Sequence, residues 1–279
     1  MKPNEPSRTA LIPARQRAAH QLLDHGSILY DPFAMKILGE DESDLLRFAS
    51  GHPLASIGRL FTTARSRIAE DAMSEAVKKG ISQIVILGAG LDTFALRTEP
   101  GTEQVRVYEV DYPATQAWKR QRLAEAQLAL PPWLIFVPVD FERNDLAGEL
   151  VEAGFQQNSP AFFSWLGVVP YLTQDAIDRT LHYMASIQHS EVVFDYMEPP
   201  QAFAQEMREL VAQRTEQLEK LNERWASHFD AAGIAAVLRS YGFCEIEDIT
   251  FQEIRSRFGH ALQGLAPGQA GLHVVHARQ

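Results

Sequence analysis

A chain of 279 residues with 46% hydrophobic and 22% charged residues has the composition of a globular protein, which excludes extended disorder. Its net charge of −10 counts against a nucleic-acid partner, because affinity for a phosphate backbone comes mainly from Lys and Arg. A single cysteine, Cys244, rules out an internal disulfide and a Cys-rich zinc site.

The first residues lack the apolar core of a signal peptide, and no run approaches a membrane span, so the expectation is a cytoplasmic chain with no membrane partner. Residues 9–80 read as helical throughout. Apolar and small residues recur at helical spacing over 9–23, Asp31-Pro32 marks a turn before 33–38, and a longer helix over 61–79 stops at Lys78-Lys79-Gly80. Arg65, Arg67, Lys78 and Lys79 lie close in sequence, and their default reading is a solvated helix face.

After Gly80 the texture changes to short β-rich runs alternating with amphipathic stretches, the pattern of parallel βαβ units. Strands are predicted at 84–87, 105–110, 135–138, 161–165, 191–196, 244–250 and 272–277. Helices are predicted at 93–97, 113–129, 146–153, 174–188 and 229–241. The expected fold is therefore α/β: a doubly wound, mostly parallel seven-stranded sheet, with a helical extension over 1–80 and a helical lid insertion over about 197–228. Cys244 opens the sixth strand in this scheme, which suits a buried, inert thiol.

The first strand runs into Gly88-Ala-Gly90-Leu-Asp92-Thr93, where glycines let the chain bend tightly and let a ligand approach the main chain. Thr93 occupies the place of the third glycine that a dinucleotide pyrophosphate normally needs, so the loop suits a ligand without phosphates. The second strand ends at Asp111, where an adenosine ribose would present its hydroxyls; a vicinal diol finds no better acceptor than a carboxylate. The third ends at Asp140-Phe141, suited to the amino group and face of adenine, although Asp140 reads equally as a turn cap. Trp165 to Tyr171 leaves the fourth strand through Gly167 and Pro170, over the central crevice.

Ala64-Arg-Ser-Arg67, Val85-Ile-Leu-Gly-Ala-Gly-Leu-Asp-Thr93, Tyr108-Glu-Val-Asp-Tyr-Pro113, Val137-Pro-Val-Asp140 and Trp165-Leu-Gly-Val-Val-Pro-Tyr171 together resemble the leucine carboxyl methyltransferase family. Its bacterial relatives include polyketide O-methyltransferases, and Asp31-Pro32-Phe-Ala34 resembles its Asp-Pro-x-Ala motif. The resemblance implies a Rossmann-like S-adenosylmethionine-dependent methyltransferase acting on oxygen, a carboxylate or hydroxyl, of a small-molecule substrate. It also implies roles: Arg65 for the methionine carboxylate of the cofactor, Gly88 and Gly90 for its methionine part, Asp111 for the ribose, Asp140 and Phe141 for the adenine. Leu166 departs from the family, many of whose members place a Glu there.

A carboxylate acceptor needs no catalytic base, whereas a hydroxyl does, and Tyr171, Tyr196 and Glu198 are the candidates. No His/Asp/Glu grouping has metal-ligand spacing, so no metal is expected. Two alternatives stay open: a nicotinamide-dependent oxidoreductase, and a non-catalytic binding protein on a methyltransferase scaffold. Nothing in the sequence indicates an oligomeric state.

Overall fold

The computed structural model describes residues 7, 9–52, 54–97, 105–141, 145–203, 205–220, 225–266 and 271–279. Among the described residues four helices precede the sheet: α1 (Leu11–Asp24), α2 (Ala34–Leu38), α3 (Glu42–Ser50) and α4 (Ala55–Lys78). Buried charges clip them to the body. Asp24 accepts from Arg59 Nε at 2.7 Å, pairs with His20 Nδ1 at 2.9 Å and accepts the Gln263 amide at 2.9 Å. One carboxylate thereby joins α1, α4 and the C-terminal region, and all of its partners are satisfied, as a buried charge requires.

Seven strands follow: β1 (Gln83–Leu87), β2 (Arg106–Asp111), β3 (Leu134–Pro138), β4 (Ala161–Trp165), β5 (Glu191–Met197), β6 (Glu245–Thr250) and β7 (Leu272–Arg278). They form one sheet in the order β3-β2-β1-β4-β5-β7-β6, with β7 antiparallel to both neighbours and the other pairings parallel. The predicted strands agree within one residue at each end. Successive residues face opposite ways: Val85, Leu87, Phe163 and Trp165 join one apolar cluster, while Ile84, Ile86 and Phe162 pack against Leu60, Ala64 and Ile68 of α4. Both faces of the central strands are covered, which is why they read as unbroken apolar runs.

The crossover helices are α5 (Phe94–Arg97), α6 (Pro113–Glu125), α7 (Leu146–Glu152) and α8 (Gln174–Ser186). Helix α6 stops short of the predicted residue 129, because Gln127 takes a left-handed φ of 54° and turns the chain. The 197–228 stretch contains a short 3₁₀ turn at Pro200–Ala202 and helix α9 (Gln205–Lys220); its residues 204 and 221–224 lie outside the described residues. Helix α10 (Ala231–Ser240) leads into β6. Cys244 corrects the expectation of a buried thiol. It precedes β6 and is exposed, because β6 is the sheet edge.

Helix α11 (Phe251–Phe258) was not predicted, since its residues follow a strand without a Gly or Pro break. Its start is nonetheless written in Thr250-x-x-Glu253: the threonine side chain accepts the Glu253 amide and the glutamate accepts from the Thr250 amide, a reciprocal cap. Thr250→Ala is expected to lower the unfolding free energy by about 0.5–2 kcal/mol, read by urea denaturation.

Among the described residues no helix is long and apolar enough to cross a membrane. No group of three or more His, Cys, Asp or Glu among them could hold a metal ion.

Candidate functional site

The strand order reverses between β1 and β4, the point at which an open α/β sheet has its crevice. A cavity of about 570 Å³ opens there, at the carboxyl ends of β1 to β5. Its volume is within the range of small-molecule and cofactor sites.

The loop after β1 forms its floor. Gly88 holds a φ of +66°, and a Cβ on it would lie 2.2 Å from Val168 Cγ2, so only glycine lets this loop and the β4 loop meet. Asp111 at the tip of β2 accepts from the Gly90 amide at 2.5 Å and from the Tyr112 amide at 2.6 Å, which locks its carboxylate at the cavity edge. Burial raises its pKa from 3.8 to about 6, against the pull of those two amides and Lys119. Val139, Asp140 and Phe141 after β3 line the same end of the cavity.

The opposite end is ionic. Arg65 projects from α4, 8% exposed, and donates through Nη1 to Asp195 Oδ2 at 2.8 Å. Its Nε is buried without a hydrogen-bond partner, and the residue lines the cavity. Asp195 comes from β5, and its Oδ1 accepts the Gly167 amide at 2.6 Å. Desolvation raises the Asp195 pKa above the ordinary carboxylate value, although Arg65 and the Gly167 amide oppose it. Gly167 is required here also: its φ is +72°, and a Cβ would meet Arg65 Nη2 at 2.6 Å.

Phe61, Leu166, Met197, Trp225 and Leu272 add apolar surface to the cavity lining. All the residues the sequence proposed for the cofactor (Arg65, Gly88, Gly90, Asp111, Asp140 and Phe141) border this one cavity. Of the proposed bases, Tyr171 lines it. Tyr196 also borders it, but its hydroxyl donates to Asp248 at 2.7 Å and its ring stacks on His273. Burial and Asp248 push the Tyr196 pKa far up, so it is a poor base. Glu198 does not line the cavity; its Oε1 lies 3.5 Å from His273 Nε2. Tyr196 and Glu198 thus belong to one hydrogen-bonded chain with Asp248 and His273 across β5, β7 and β6.

Sequence reasoning missed Asp195 and Arg17. The signal for Asp195 was a lone acid in the run Val192-Val-Phe-Asp-Tyr-Met197, where a fully buried strand tolerates a charge only with partners. Arg17 donates to the Leu91 carbonyl at 2.6 Å and to Asp31 at 3.0 Å, and Asp31 also accepts from Thr93 Oγ1 at 2.7 Å. The glycine loop is thereby tied to α1. Thr93 is buried with its hydroxyl committed to Asp31, and α5 after it is a single turn.

The family model of leucine carboxyl methyltransferase matches residues 10–185. A protein of Bacillus subtilis strain 168, provisionally named the S-adenosyl-L-methionine-dependent methyltransferase YktD, is 30% identical over 302 residues, covering 99% of both chains. A Mycobacterium marinum protein with the same provisional activity is 30% identical, covering 82% of this chain and 74% of its own. Among solved structures, a provisional methyltransferase of Thermobifida fusca YX superposes with a TM-score of 0.57 at 17% identity, covering 100% of this chain and 96% of its own. A DUF574 family protein of Streptomyces avermitilis gives a TM-score of 0.57 at 14% identity, covering 88% and 95%. At such identities the structural likenesses establish the shared fold.

Proposed function

The chain belongs to the leucine carboxyl methyltransferase family and is an S-adenosylmethionine-dependent methyltransferase; from that premise we propose that it methylates an oxygen, a carboxylate or hydroxyl, of an apolar small molecule. The observation that carries this reading is one cavity with a buried, partly unpaired guanidinium at one end and a buried carboxylate at the other. The Arg65 fork suits the methionine carboxylate, and Asp111 suits the ribose diol. Gly88 and Gly90 expose main chain between them, and Asp140 and Phe141 border the space for adenine. The residues fit the cofactor.

S-adenosylmethionine, when bound, supplies a methyl group made electrophilic by its sulfonium. The chain's own contribution is alignment and dryness. Phe61, Leu166, Met197, Trp225 and Leu272 exclude water from the acceptor side and offer an apolar acceptor its contacts. Helix α9, with Trp225 beyond it, is proposed to act as the lid. A carboxylate acceptor requires no proton transfer, and for a hydroxyl acceptor Tyr171 is the side chain placed to assist.

Isothermal titration with S-adenosylhomocysteine is expected to give saturable binding, and NAD none. The reverse pattern would return the reading to a nicotinamide-dependent oxidoreductase. Transfer of labelled methyl to a panel of apolar hydroxy and carboxylic acids tests the acceptor: label released by mild base marks an ester, and base-stable label on oxygen an ether. Label on nitrogen or carbon instead would reject the oxygen assignment.

A further inference from the structure

Asp195 is 3% exposed, lies in the wall of the cavity and is held on two sides, by Arg65 Nη1 and by the Gly167 amide. A carboxylate has about four acceptor sites, and Arg65, the Gly167 amide and the residue's own amide leave room for a further donor. Leu166, the neighbouring side chain of the β4 loop, is apolar and supplies no charge there. Arg65 and Asp195 therefore stand side by side as a fixed cation and anion at the end of the cavity opposite Asp111.

We propose that Asp195 receives the α-ammonium group of the cofactor's methionine, so that Arg65 and Asp195 together read a zwitterionic amino-acid end. The assignment rests on the cofactor orientation proposed above, with the methionine carboxylate at Arg65. The chemistry favours it on three counts. A ligand with both charges on one carbon is complementary to a side-by-side ion pair, whereas a ligand with a carboxylate alone would face Asp195 with like charge. Each oxygen of the carboxylate already has a partner, and an ammonium adds a further charge-assisted hydrogen bond, the stronger kind, to a buried anion that neutral donors only partly offset. Burial already raises the Asp195 pKa, so an arriving cation stabilises the ionised form and gains from doing so. The Gly167 amide fixes the carboxylate plane, which keeps Asp195 from collapsing wholly onto Arg65.

A competing role is simpler: Asp195 only holds Arg65 in place for the methionine carboxylate. Titration calorimetry on the full chain with three probes separates the two. S-adenosylhomocysteine carries both groups, its decarboxylated analogue 5′-(3-aminopropylthio)adenosine carries the ammonium alone, and 5′-methylthioadenosine carries neither. Asp195→Asn keeps the shape and an acceptor for Gly167. It is expected to weaken S-adenosylhomocysteine and the decarboxylated analogue by about tenfold or more, and to leave methylthioadenosine unchanged. Loss confined to S-adenosylhomocysteine would overturn the proposal in favour of the Arg65-holding role. Equal loss for all three probes would overturn it as a general disturbance of the site, and no loss would overturn it outright. Failure of the wild-type chain to bind methylthioadenosine and S-adenosylhomocysteine would instead strike the cofactor reading itself, and the assignment with it.

Discussion

Lys119→Met is expected to lower the unfolding free energy by about 3–5 kcal/mol above neutral pH, the cost of stranding one partner of a buried ion pair. Lys119 Nζ lies 2.5 Å from Glu109 Oε2, and both side chains are 2% exposed. Lys119 also draws down the pKa of Asp111 and Asp92, and is the cation common to all three carboxyls. Burial nevertheless raises the Glu109 pKa from 4.5 to about 7, with Lys119 opposing the rise. A group whose folded pKa is raised gives stability that is present below the unfolded value and lost as pH rises through the folded one. Without Lys119 the Glu109 pKa rises further. The penalty should therefore be small up to about pH 7, where Glu109 is protonated in both folded proteins, and grow above it, as the wild-type carboxyl ionises against Lys119 and the variant's is held neutral. Urea denaturation of both proteins across that range reads the difference. A penalty that is constant with pH would show that lost packing, and not the stranded carboxylate, is the cause.

Asp111→Ala is expected to weaken S-adenosylhomocysteine binding by about 1–3 kcal/mol, roughly five- to 150-fold, because buried ribose hydroxyls lose a charged acceptor. The wild-type affinity should carry a matching pH signature. Protonation removes acceptor capacity from a carboxyl whose pKa is raised by burial to about 6, so binding should weaken as the pH falls through that value. The alanine variant should show no such inflection. Its melting temperature without ligand is the control, since Asp111 also anchors the Gly90 amide. An unchanged affinity at neutral pH would move the ribose elsewhere in the cavity.

The two predictions meet at Lys119, which stabilises both carboxylates. Lys119→Met is thus also expected to raise the Asp111 pKa and to shift the acid loss of cofactor binding toward neutral pH.

The position that looked weakest in the sequence was Leu166, where a carboxylate of the family pattern is absent. In the folded chain a carboxylate reaches the same part of the cavity from the neighbouring strand, as Asp195. Nothing in the linear order announces this: residues 166 and 195 meet because β4 and β5 pair in parallel, Trp165 beside Phe194. Tyr196, adjacent in sequence to Asp195, faces the other way because a strand alternates its side chains, and its hydroxyl goes to Asp248. A choice among Tyr171, Tyr196 and Glu198 as bases was out of reach without that alternation and the antiparallel register of β7, which brings His273 under Tyr196.

What the sequence by itself determined is local. Short β-rich runs located the strands, glycines located the loop after the first strand, and acids at strand ends Asp111 and Asp140 located the cavity edge, because each signal depends on a few consecutive residues and their periodicity. Tertiary structure alone decided the pairings between distant charges: Arg17 with Asp31 and the Leu91 carbonyl, Asp24 with Arg59, Lys119 with Glu109, and Arg65 with Asp195. Such pairs are selected by burial. A charge inside the protein must meet its opposite, and which opposite it meets depends on how helices and strands pack, a relation that no spacing along the chain records.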